Sequence, residues 1–203
     1  NVCDETETVL IFDEVVTGFR TNLGGAQKKY GVTPDLSTFS KAIACGFPLS
    51  VVCGKASIME QFIPTGNVFF AGTFNAHPLS LAVGTKVIEK LRNGKIHSQI
   101  TKLGNRLRSF ISSAISKCSL DACVQGTDSM LTIAFGCKDF IHGIRNEKFN
   151  QKAYDIFVKK MAERSILFPP LPTETVFLSP VHEAVIEKIE KAFDEVLSEM
   201  KNL

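Results

Sequence analysis

The stretch VLIFDEV, residues 9–15, decides how the chain is to be read. Val9, Leu10, Ile11 and Phe12 form a continuous apolar run too short for a helix. Such a run is typical of a strand buried on both faces of a mostly parallel sheet. Asp13 and Glu14 follow at its carboxyl end, the edge at which open α/β sheets place ligands. An acid in that position has two readings. It caps a helix or pairs with Arg20, or it serves a bound group.

The flanking sequence is consistent with an α/β arrangement. Residues 21–34 are rich in Gly, Asn and Thr and read as loop with one helical turn, and 36–43 are short and mixed. A second buried strand is expected over 49–53, helical turns over 58–62 ending at Pro64, and a strand over 68–70 leading into Ala71-Gly72-Thr73. Pro78 then suits the first turn of a helix over 78–92, in which Leu79, Val83, Val87 and Leu91 recur every four residues. Asn93-Gly94 stops it. A longer helix follows over 95–117, its apolar stripe running through Ile96, Ile100, Leu103, Leu107, Phe110 and Ala114. The stop at Asn-Gly divides the chain into domains at 1–94 and 95–203.

In the second part, 129–135 alternates as a half-buried strand with Leu131, Ile133 and Phe135 on one face. Residues 138–150 read as loop, 151–164 as helix, and 166–168 and 175–178 as short strands. A last helix carries Ile186, Ile189, Phe193, Val196 and Met200 on one face. Together they describe a small α+β domain with helices on one side of a small sheet.

Composition excludes several classes. A net charge of +2 offers no electrostatic case for nucleic acid or an anionic membrane. No run of 18 apolar residues is present to span a bilayer. The first residues, NVCDETETV, lack the basic start and apolar core of a signal peptide. Six cysteines without C-x-x-C spacing read as buried thiols of a reducing, cytoplasmic compartment. Four scattered histidines fit no metal-ligand spacing, so no metal is expected. The start at Asn1, a few residues before an apolar run, points to a piece of a longer protein.

Lys41 and Thr73 are the other candidates. Most lysines are solvated surface residues, but Ala42, Ile43, Ala44, Cys45 and Gly46 leave little around Lys41 to hydrate an ammonium. A desolvated lysine loses basicity and becomes a nucleophilic amine. Thr73, between Gly72 and Phe74, reads as a turn hydroxyl or as a donor to a phosphate. A lysine for an imine, a carboxylate for a ring nitrogen and a hydroxyl for a phosphate are what an aldehyde cofactor needs.

Three strings carry a family resemblance: LIFDEVVTGFR (10–20), GVTPDLSTFSKAIACGFPLSVVCG (31–54) and FFAGTFNAHPLSLA (69–82). They resemble the class III aminotransferases, fold type I pyridoxal-phosphate enzymes, and within them the glutamate-1-semialdehyde 2,1-aminomutase branch. The resemblance is strong over residues 9–92 and weaker beyond, where ETVFLSPVH (174–182) is similar to that branch. It implies the carboxy-terminal part of a large cofactor-binding domain followed by the small domain.

It also implies roles. Asp13 would hold the pyridine nitrogen protonated, Val15 would pack on the ring, and Lys41 would form the imine with pyridoxal 5'-phosphate and then shuttle a proton. Thr73 would bind the cofactor phosphate of a neighbouring subunit, which implies a homodimer. Gln27 in GGAQ and Glu174 would face the substrate, a small amino donor or acceptor. The loop 44–47 departs from the branch's glycine run, and Ala76-His77 from its usual Gly-Asn, which bears on substrate choice. The family's phosphate-cradling loop and stacking aromatic would precede Asn1, leaving apolar sheet surface exposed. The resemblance therefore leaves two functions open: an amino-group-transferring enzyme, or a non-catalytic fragment acting only in dimer contacts.

Overall fold

The computed structural model describes residues 2–138 and 149–201. The chain divides into two compact units, Asn1–His97 and Ser98–Leu203.

The first unit contains α1 (Val2–Glu5), β1 (Ile11–Glu14), α2 (Gly25–Tyr30), β2 (Leu36–Phe39), β3 (Val51–Gly54), α3 (Ala56–Met59) and α4 (Pro78–Leu91). Its sheet has the order β1-β2-β3. β1 and β2 run parallel with Asp13 beside Thr38, whereas β2 and β3 run antiparallel. The sheet is thus mixed rather than mostly parallel. β1 is an edge strand, and Val9 and Ile11 are exposed instead of buried.

The central strand is β2, which the mixed sequence Leu-Ser-Thr-Phe conceals. Ser37 and Phe39 are its buried positions, so the alternation runs through a serine rather than an apolar residue. Residues 68–70 form no strand; Val68 makes an isolated bridge to Phe62, and Phe69 and Phe70 are exposed. The β1–β2 register is set at its start, where the Leu10 N–H donates to Asp35 Oδ2 (2.7 Å). Lys55 pairs with the other oxygen of Asp35 (2.5 Å), and that hydrogen bond holds its carboxyl below the ordinary aspartate range.

The second unit holds most of α5 (Lys95–Cys118), then β4 (Ala122–Gln125), β5 (Met130–Phe135), α6 (Gln151–Glu163), β6 (Val176–Phe177) and α7 (Ile186–Met200). The sheet order β4-β5-β6 is antiparallel throughout. The stripe expected on α5 is buried at Ile100, Leu103, Leu107 and Ala114, joined by Ile111 and Ile115. β5 is covered on both faces, with Met130 and Ala134 buried as well as Leu131, Ile133 and Phe135. Phe157 of α6 is the hub of this core. Its ring lies 5.0–5.7 Å from those of Phe135, Phe168 and Phe193. Burying a side chain of that size contributes about 1.5–3 kcal/mol.

Ile166 and Phe168 pack on this core without forming a strand, with Leu167 exposed between them, and β6 keeps only two of the four residues expected. Outside the core, Arg164 joins α6 to α7 through Glu195 (2.8 Å) and Glu199. The loop expected over 138–150 falls largely on residues outside those described.

Of the six thiols, Cys118, Cys123 and Cys137 are buried, but Cys45 and Cys53 are exposed, contrary to expectation. Among the described residues no helix is long and apolar enough to cross a membrane, and no cluster of three His, Cys, Asp or Glu side chains is placed to hold a metal.

Candidate active site

Parallel pairing brings the carboxyl ends of β1 and β2 side by side, and both lead candidates leave from there. Asp13 is the third residue of β1. Its Oδ1 accepts the Val15 N–H (2.9 Å) and the hydroxyl of Thr38 (3.3 Å), its register partner on β2. Both bonds go to one oxygen, so the carboxylate is oriented while Oδ2, among the described residues, is left for another donor.

Two residues beyond the end of β2 the chain turns into a short 3₁₀ segment, Lys41–Ala44. Lys41 itself has φ +47°, in the left-handed region that a side chain with a Cβ enters at a cost of about 1–2 kcal/mol. Such strain persists only where the surroundings impose it. Here they do: Ser40 Oγ donates to Leu49 O (3.0 Å), Ile43 and Ala44 are buried, and α4 packs on this turn. α4 approaches closely because Gly84 has no side chain; a Cβ there would lie 2.7 Å from Leu49 Cδ2. The helix is started by Pro78 and by His77, whose Nδ1 accepts the Ser80 N–H (3.4 Å).

Lys41 is exposed, so the desolvation expected from its apolar neighbours is absent. Ile43 and Ala44 turn inward and take no part in enclosing the ammonium. Among the described residues its Nζ has no ion-pair partner. It lies on the wall of a groove of about 850 Å³ formed with Phe47, Leu49, Phe62, Phe70 and Phe74. Asp13, Val15, Gln27 and Thr73 do not line that groove. Thr73 is exposed in the turn closed by the Asn75 N–H donating to Gly72 O (2.9 Å). Glu174, in the second unit, is exposed in a turn closed by its own N–H on Leu171 O (3.1 Å).

Glu14 is the residue that sequence reasoning passed over. It is 1% exposed, and its carboxylate binds the Ala26 N–H (2.9 Å), the Gln27 N–H (2.8 Å) and the Thr17 hydroxyl (2.5 Å). It fastens the GGAQ segment to the end of β1, one residue from Asp13. Gln27 thus contributes its backbone to this anchor. Gly25, at φ +66°, is required there because a Cβ would sit 2.5 Å from Glu14 Oε2. The Gly24-Gly25 pair was the available signal. On the other side of the same turn, Phe19 packs edge-on against Phe39 (5.5 Å), and the Phe19 carbonyl meets His97 Nε2 at 3.1 Å. Arg20 ends the motif; burial lowers its pKa, partly opposed by nearby Cys45.

The sequence profile of the Aminotransferase class-III family matches residues 1–196. The chain belongs to the class III aminotransferases. It is 39% identical over 193 residues to a glutamate-1-semialdehyde 2,1-aminomutase of Methanococcoides burtonii, covering 95% of this chain and 46% of that protein. Among solved structures, an omega-transaminase from Sphaerobacter thermophilus superposes with a TM-score of 0.85 at 27% identity, covering 98% of this chain and 46% of that one. A transaminase with PLP bound gives a TM-score of 0.84 at 25% identity and the same coverages. This class III chain therefore spans about half the length of the relatives it matches.

Proposed function

We propose that this chain carries the covalent lysine and the ring-facing carboxylate of a pyridoxal-phosphate-dependent amino-group transfer of the aminotransferase or aminomutase type. The observation that supports it is the placement of Asp13 and Lys41 at the carboxyl ends of neighbouring parallel strands, with Asp13 held by Thr38 across the pair.

The donor set fits the cofactor. Asp13 has both recorded bonds on Oδ1, which leaves Oδ2 to accept a ring N–H. Lys41 offers an amine with no ion-pair partner among the described residues, two residues beyond the end of the strand that pairs with β1. When bound, the group supplies an electron sink for a carbanion at the substrate α-carbon.

The residues then divide the work. Asp13 would keep the ring nitrogen's proton in place. Lys41 Nζ would hold the group covalently and, when released by a substrate amine, would serve as the base that carries a proton. Val15, whose N–H orients Asp13, would pack its side chain against the ring. Thr73, exposed in its turn and outside its own chain's groove, would donate to the cofactor phosphate held by a second copy in a homodimer. Gln27 would face the substrate from the first unit, and Glu174 is a separate substrate candidate carried by the second unit. The 39% identity to an aminomutase favours a small amino-aldehyde substrate rearranged within one molecule.

The test is absorbance of the protein with pyridoxal phosphate. A band near the visible edge is expected, and Lys41→Ala, its fold checked by circular dichroism, must lose it. A band that survives in Lys41→Ala refutes the assignment. Conversion of glutamate-1-semialdehyde without a keto acid supports the mutase form; an absolute need for a second substrate replaces it with transamination.

A further inference from the structure

We propose that Cys123 and Cys137 are a reversible oxidation site, a dithiol that peroxide converts to an intramolecular disulfide. The two sulfurs lie 3.6 Å apart, in contact, and both residues are buried. A disulfide has S–S near 2.05 Å, so they need approach by only roughly 1.5 Å.

The backbone explains why residues so far apart in sequence meet. Cys123 sits on β4 opposite Ala134 of β5, and beyond Phe135 the ladder is continued by the Gly136 N–H donating to Asp121 O (2.7 Å). Gly136 then takes φ +78°, which turns the chain so that Cys137 folds back toward Cys123. Ala134 and Phe149 complete a small apolar cluster around the pair. Cys118, also buried, instead faces Ser198 Oγ at 3.8 Å, so burial by itself does not produce a sulfur pair.

The oxidant is hydrogen peroxide, small enough to reach a site whose residues are each 8% exposed. One thiol sulfur attacks peroxide; the O–O bond breaks, a sulfenic acid forms, and water leaves with the thiol proton. The second thiol sulfur then attacks the sulfenic sulfur. The S–S bond forms, the S–O bond breaks, and hydroxide leaves with the second thiol proton as water. Two thiols have lost two electrons and two protons, and one peroxide has become two waters. A dithiol such as dithiothreitol reverses it by exchange. Contact between the sulfurs favours closure over further oxidation, since the second thiol is already beside the sulfenic acid. The product staples β4 to the residues following β5.

The experiment is limited peroxide treatment of the folded protein, denaturation, alkylation with iodoacetamide and trypsin digestion. Residues 118–138 form one tryptic peptide holding Cys118, Cys123 and Cys137. The expected product has two hydrogens fewer, one alkyl group located on Cys118 by fragmentation, and full alkylation after dithiothreitol. In Cys137→Ser, and separately in Cys123→Ser, the remaining thiol must stop at a sulfenic acid trapped by dimedone. Three alkylated thiols at peroxide levels that oxidise the exposed Cys45 and Cys53 overturn the proposal. So does a disulfide involving Cys118, or the same yield of linked peptide from urea-unfolded protein.

Discussion

Replacing Glu14 by Gln preserves shape and removes one acceptor. The carboxylate now satisfies three donors, two on Oε2 and one on Oε1. A glutamine offers one oxygen, and its NH₂ must face at least one of those donors. If the oxygen serves Thr17 and Ala26, the Gln27 N–H is left facing another donor in a buried setting. An unsatisfied buried N–H costs about 1–3 kcal/mol, and the bonds that remain lose their charge assistance, about 1 kcal/mol more. A total of about 2–4 kcal/mol at 1.36 kcal/mol per decade predicts local opening faster by about thirty- to a thousandfold. The assay is amide hydrogen exchange of Ala26 and Gln27, with β5 amides as an internal control that stays protected. Exchange within threefold of wild type at both amides would show that Glu14 does not anchor the GGAQ segment, and the account of how β1 and α2 are joined would be wrong.

The remaining predictions concern packing and pH. Phe157→Ala, at the centre of four aromatic contacts, should lower stability in urea by about 3–5 kcal/mol. Gly104→Ala should destabilise although alanine favours helix, because its Cβ would lie 1.8 Å from the Asp128 carbonyl; a variant as stable as wild type would place that carbonyl elsewhere. Tyr154 donates to Pro169 O (2.9 Å), and burial, reinforced by Glu174, pushes its pKa up to about 12. The folded form keeps its proton where the unfolded chain, titrating at about 10, gives it up. Its contribution is complete below pH 10 and declines between pH 10 and 12. Tyr154→Phe should remove that part of the alkaline loss, read from urea midpoints at pH 9 and 11.

The long helices were readable from sequence because each carries its own apolar stripe and stop signal. α4, α5 and α6 begin at the expected residues and end within one of them. The sheet of the first unit was harder to read. β2 is central through a buried serine, and β1 carries apolar side chains at an edge, so apolar runs and sheet position are decoupled there. Phe69 and Phe70 have strand composition but lie exposed. At the candidate site, the motif strings pointed to Asp13 and Lys41 but gave no indication of what holds them. Thr38, Ser40 and Glu14 act through register partners and backbone amides distant in sequence, which a linear string does not display. The solvation of Lys41 was misread for the same reason: its apolar neighbours point the other way.

In the role proposed for Lys41, its left-handed backbone sets durability against chemistry. Glycine would relieve that conformation and asparagine would bear it more easily, so the substitutions that make this turn comfortable are those that delete the amine. On that proposal, a library selected only for heat resistance should drift toward variants that have lost the amine at this position. Keeping a lysine there over generations needs selection on turnover itself.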